Sequence, residues 1–108
     1  MDIEEIRRFV QRESDELTIH ARQERLAEDL DILALEEVIA TGDILEDDPN
    51  DPRGPSCLAP GYAGIRPVHL AIGWSSQTGS EARIPRIITA YEPKPPKWVH
   101  ARLRGERS

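Results

Sequence analysis

Along the first forty positions, apolar residues recur every three or four residues. Ile3, Ile6, Phe9 and Val10 make one stripe, which predicts a helix over residues 2–13. Asp2 stands where it can accept free amides of the first turn, with Glu5 three residues on, and Ser14-Asp15 ends the run. Leu17-Thr18-Ile19 reads as a short extended piece. A second, more polar helix is predicted from about His20 to Leu30, with Ala21, Leu26, Ala27 and Leu30 as its core face. Asp31 is placed to cap a third helix that carries Leu35, Val38 and Ile39 inward, runs to Thr41 and stops at Gly42.

Beyond Gly42 the period changes. Ile44-Leu45-Glu46 suggests a short strand. Residues 47–55 hold three prolines, which remove donors and fix φ, so they read as a loop. Residues 56–59 form a weak strand that Pro60-Gly61 should end. Within Arg66–Ser75, Val68, Leu70, Ile72 and Trp74 alternate with Pro67, His69, Ala71 and Gly73, the period of a half-buried strand. A turn at 75–80 leads to a returning strand at 83–91, where Pro85 must lie at a bulge, an edge or the strand start. Residues 92–108 are proline-rich and then basic, with Trp98 as the expected anchor. Helices followed by an antiparallel sheet of about four strands make an α+β fold, and residues 1–108 read as a single domain.

Composition narrows the class. Of the 108 residues, 38% are apolar and 31% charged, and no apolar run approaches the roughly 20 residues that span a bilayer. The acidic start lacks the basic and apolar regions of a secretory signal, and Cys57 has no second cysteine to pair with. A cytoplasmic location with no membrane association is therefore expected. The net charge of −6 is unevenly spread: residues 1–51 carry 5 Lys+Arg against 17 Asp+Glu, and residues 52–108 carry 9 against 3. Such a chain can present a basic face to phosphate, or its halves can simply attract each other.

The familiar catalytic motifs are missing from the sequence: there is no phosphate-binding glycine loop and no nucleophile elbow. His20, His69, His100 and Cys57 lack metal-ligand spacing, so no metal is expected, and Asp47, Asp48 and Asp51 read as a solvated acidic loop. His69 lies mid-strand, opposite the apolar face, and is expected to look out of the sheet's other side. Ile87, Thr89 and Tyr91 share one face of a regular returning strand, and one register brings His69 to Thr89 and Tyr91. His20 begins the second helix, where the dipole favours a neutral base, and Glu24 shares its face. Metal-free RNA cleavage needs a base for the 2′-hydroxyl, a cation at the phosphate and an acid for the leaving oxygen. His20, Arg22 or Arg25, His69 and Tyr91 are suitable types. A cross-strand polar pair for His69 and a helix-cap role for His20 are the structural alternatives.

Several motifs occur in order: His20-Ala21-Arg22 with Arg25; Gly42-Asp43-Ile44-Leu45-Glu46-Asp47; and Asp51-Pro52-Arg53-Gly54-Pro55-Ser56-Cys57-Leu58. Arg66-Pro67-Val68-His69, Ile87-Ile88-Thr89-Ala90-Tyr91 and Pro96-Lys97-Trp98 follow. From about residue 17 to 98 this series resembles the bacterial family called domain of unknown function 4258, leaving 1–16 as an extra N-terminal helix and 99–108 as a basic tail. The resemblance implies a place in the barnase–EndoU–colicin–RelE group of ribonuclease toxins, whose members are mostly metal-independent and need no cofactor. It implies RNA as substrate and a small zinc-finger antitoxin as partner. On the matching positions, His20, His69 and Tyr91 are the expected catalytic residues, and Arg22, Arg25 and Thr89 the expected substrate-binding ones. Asp48, Pro60 and Asp29 depart from the pattern: a ring is replaced, a strand is interrupted, and an acid is added near the cations. The alternative is a non-catalytic RNA- or protein-binding module of the same fold.

Overall fold

Asp2 accepts the amide of Glu4 and opens α1 (Ile3–Gln11), which points Ile6 and Val10 inward. The described residues of the computed structural model are 1–12, 15–52, 54–75, 84–94, 98–100 and 103–104. A two-residue strand, β1 (Glu16–Leu17), leads to α2 (Ile19–Ala27), whose N-cap is Thr18. Asp31 caps α3 (Ile32–Thr41) by accepting from Ala34. The sheet strands are β2 (Glu46–Asp48), β3 (Ser56–Ala63), β4 (Arg66–Ser75) and β5 (Ile84–Tyr91). A separate pair follows, β6 (Trp98–His100) with β7 (Leu103–Arg104).

The main sheet has the order β1-β5-β4-β3-β2, and the class is α+β with the helices first. It holds five strands rather than about four. It is mixed rather than wholly antiparallel, because β1 pairs parallel to β5. The helices cover one face. Ile6, Val10, Ala21, Leu35, Val38 and Ile39 meet Val68, Leu70, Ile72, Ile87 and Ala90 in one core. Backbone lies on backbone where α3 crosses β3. A Cβ on Gly61 would stand 2.1 Å from the carbonyl oxygen of Val38, and one on Gly42 would stand 2.5 Å from that of Pro60. No helix among the described residues is long and apolar enough to cross a membrane.

Four local expectations need correction. The strand from Ser56 runs through Pro60-Gly61 to Ala63. The carbonyl of Pro60 accepts from Asp43, on the side away from β4, so its missing N–H removes no bond to β4. Asp47 and Asp48 are not loop: they pair with Cys57 and Ser56. Leu26 is 69% exposed and Ala27 is also exposed, so the inner face of α2 is Ala21 with Leu30 just beyond the helix. Finally, the register shifts between Ala71 and Ile72, which leaves Ile88 as an extra residue in β5. Ile87 therefore faces the core with Ile72 and does not share a face with Thr89 and Tyr91. The turn at 76–80 and the Trp98 side chain lie outside the described residues.

Candidate functional site

β4 and β5 place two of the expected residues directly opposite each other. His69 pairs with Tyr91, and Ala71 pairs with Thr89, so His69, Thr89 and Tyr91 share the sheet face away from the helices. Nδ1 of His69 lies 3.3 Å from the Tyr91 hydroxyl, and the two rings meet edge to face with centroids 5.4 Å apart. His69 does not look out into solvent, however: it is 0% exposed. Pro60 on β3 and Tyr91 on β5 are its partners on either side. Tyr91 and Thr89 are half-buried.

His20 stands apart from that pair, at the first turn of α2, with its side chain 62% exposed. Its Nε2 is 3.3 Å from Glu24 Oε1, one helical turn on. The same carboxylate oxygen accepts the backbone amide of Ala90 at 2.9 Å. A continuous line of contacts thus runs from His20 through Glu24 to the residue preceding Tyr91, and from Tyr91 to His69. Arg22 is exposed too, but two positions on in a regular helix its side chain leaves α2 on a different side from His20. Arg25 is directed elsewhere: its Nη1 donates to Leu30, and its buried Nε has no partner.

Three contributors were not picked out from the sequence. Thr18 caps α2 with its hydroxyl oxygen, accepting from Ala21, and the same hydroxyl donates to the carbonyl of Ile88. Glu28 accepts the amide of Glu92, so α2 serves the free edge of β5 where β1 has ended. Arg66 locks this corner, donating to the carbonyl of Glu28 at 2.8 Å and pairing with Glu92. A threonine just ahead of a helical run is a legible cap signal. The carboxylate-to-strand bonds have no sequence signature, because they join residues more than sixty positions apart.

Cys57 lies buried in β3, and burial pushes its thiol up from 9.0 to about 11, with Asp47 adding to the rise and the N-terminal ammonium opposing it. That is the state of an inert core thiol rather than a nucleophile. No group of three or more His, Cys, Asp or Glu among the described residues is placed to hold a metal ion.

The arrangement offers an exposed imidazole with a carboxylate one turn on, an exposed guanidinium on another side of the same helix, and a tyrosine in contact with a buried histidine. The family model described as Domain of unknown function (DUF4258) matches residues 17–92, which begins at β1 and ends one residue past β5. No curated protein and no solved structure matches the chain.

Proposed function

The chain belongs to the Domain of unknown function (DUF4258) family, and for it we propose an RNA-cleaving domain that works as the toxin of a toxin–antitoxin pair. The observation that carries this reading is the His20–Glu24 pair. A carboxylate 3.3 Å from Nε2 favours the proton on that nitrogen and leaves Nδ1 as the basic atom, the usual arrangement for a general base. Nδ1 of His20 takes the proton of an RNA 2′-hydroxyl. The 2′-oxygen then attacks the adjacent phosphorus, and the bond to the 5′-oxygen breaks. The products are a 2′,3′-cyclic phosphate and a 5′-hydroxyl. Arg22, exposed on a different side of α2, contacts the phosphate backbone of the bound RNA. Tyr91 is the acid or hydrogen-bond donor at the leaving oxygen. Within this reading His69, enclosed in the sheet, positions Tyr91 and does not itself touch RNA. Thr89 lies beside it as a substrate contact, while Arg25 supports the end of α2. A small zinc-finger antitoxin is the partner that would hold the activity in check.

Incubation of purified protein with end-labelled RNA tests this. Wild-type protein yields fragments ending in cyclic phosphate. His20→Ala, at an exposed site, lowers the rate by roughly 10²–10⁴-fold, the usual contribution of a general base, and Tyr91→Phe lowers it as well. Expression arrests growth, and co-expression of the antitoxin relieves the arrest. Undiminished cleavage by His20→Ala removes the assignment. The complete burial of His69 favours a second reading, a non-catalytic module that holds RNA or a protein. RNA retained intact in a stable complex, with no growth arrest, selects that one.

A further inference from the structure

A second surface lies where the end of α2, the start of α3 and the β3–β4 turn meet. There Leu33 is 74% exposed and Ile65 is 95% exposed. Leu33 lines a cavity of about 360 Å³ together with Asp29, Asp31, Glu37 and Arg66, and Ile65 lies in the turn between the lining residues Ala63 and Arg66. Leu26, 69% exposed, stands one turn back from Asp29. Single exposed aliphatics are ordinary, but Leu33 in the lining with Ile65 next to it in the adjoining turn gives this concavity an apolar side.

The charge around the cavity is lopsided. Its one basic residue, Arg66, donates to the backbone oxygens of Glu28 and Asp29 and pairs with Glu28 and Glu92. Its guanidinium is therefore already matched. Asp31 accepts from Ala34, and Glu37 accepts from Gly64, so both carboxylates are fixed in place. Asp29 occupies the left-handed region at φ 56, where glycine is the easier residue. The turn closes through bonds from Leu30 to Arg25 and from Asp29 to Leu26, neither of which uses the Asp29 side chain. An aspartate at this position carries a backbone cost and adds a carboxylate to the cavity that Leu33 also lines.

We propose that this surface docks a basic amphipathic helix of a protein partner, whose aliphatic side chains pack on Leu33 and Ile65 while a lysine or arginine enters the cavity toward Asp29. Charge complementarity chooses this occupant: three carboxylates on the rim and lining disfavour RNA and an acidic peptide, and favour a cation. The cavity is near the low end of ligand-pocket size, roughly 300–1,000 Å³, so it accepts a side chain and not a whole segment. Amphipathic helices are recognised in this way, through spaced apolar anchors.

A fluorescein-labelled helical peptide built from leucine and lysine in amphipathic order serves as the probe, read by anisotropy at physiological salt. Wild-type protein binds it. Leu33→Ser and Ile65→Ser each weaken binding by roughly tenfold, as truncated interface anchors do, and Asp29→Asn weakens it while leaving the backbone conformation tolerable. Both aliphatics are exposed, so thermal melting of these variants stays at the wild-type temperature. Equal binding of a scrambled peptide of the same composition would show general attraction to an acidic surface and overturn the proposal. So would unchanged affinity in all three variants. Sedimentation showing a wild-type dimer that Leu33→Ser dissolves would assign the face to a second copy of this chain instead. None of these readouts depends on RNA cleavage.

Discussion

At the scale of single residues, a side chain's chemistry is decided by what surrounds it more than by its type. His20 and His69 are the same residue, yet one lies 62% exposed against Glu24 and the other is fully enclosed beside Tyr91. Strand alternation indicated the face that His69 occupies. It said nothing about cover on that face, where Pro60 and Tyr91 stand on the neighbouring strands. Cys57 shows the same rule in a form that pH can test. Burial favours its neutral thiol in the folded protein, with the native value near 11 against 9.0 ordinarily. Below about pH 9 the thiol is neutral in both states, and its contribution to stability is fully present. As pH rises from there toward about 11 the unfolded chain ionises first, and stability falls. Urea unfolding of wild type and Cys57→Ala at successive pH values measures this. Wild type loses stability more steeply over that interval, by up to roughly 2–3 kcal/mol. Parallel curves would show that the thiol is not held neutral by the fold.

At the scale of elements, α2 does a strand's work. β1 covers only Arg86 and Ile87 of β5, and beyond that point the edge of β5 is met by side chains of α2. Thr18 donates to Ile88, Glu24 accepts from Ala90, and Glu28 accepts from Glu92. An unpaired strand edge invites further pairing, and a helix that supplies acceptors at the right spacing closes it. Glu24→Ala removes the acceptor of a part-buried amide and costs about 1–3 kcal/mol. Hydrogen exchange locates the effect: the Ala90 amide exchanges faster, while amides bonded between β3 and β4 keep their protection relative to global unfolding. Uniform acceleration throughout would mean that Glu24 contributes to stability without closing this edge. Such arrangements mark the boundary of what sequence can convey. The stripe of Ile3, Ile6 and Val10, the caps Asp2 and Asp31, and the alternation of β4 were all legible, since each is local. The parallel pairing of β1, the extra residue at Ile88 and the passage of β3 through Pro60 were not. Each depends on a partner distant in sequence, and for Pro60 on which side of the strand its carbonyl faces. For the site the division is similar. The His20–Glu24 spacing was readable, whereas the diversion of Arg25 to Leu30 depends on how the end of α2 closes.

At the scale of the whole molecule, the unequal charge of the two halves has a structural outlet. Arg66 and Arg86, from the basic half, pair with Glu28 and Glu16 in the acidic half, and so bind β4 and β5 to the segment around α2. Exposed pairs of this kind contribute little individually, so the union of the halves rests on the apolar core. Part of that core comes from outside the segment that matches the family, residues 17–92. α1 inserts Ile6 and Val10, which are 0% and 6% exposed, and Arg7 donates to the carbonyls of Ile39 and Gly42 at the end of α3. Burying each of those two side chains contributes roughly 1.5–3 kcal/mol, against a total of about 5–15 kcal/mol for a typical domain. Removal of residues 1–15 therefore takes away a large share of the net stability and uncovers the apolar surface of α3. Circular dichroism on heating checks this. The shortened chain melts at markedly lower temperature and over a broader range than the full one, and Ile6→Ala in the full chain falls between the two. An unchanged melting temperature would mean that the family segment completes its own core, with α1 an accessory laid on its surface.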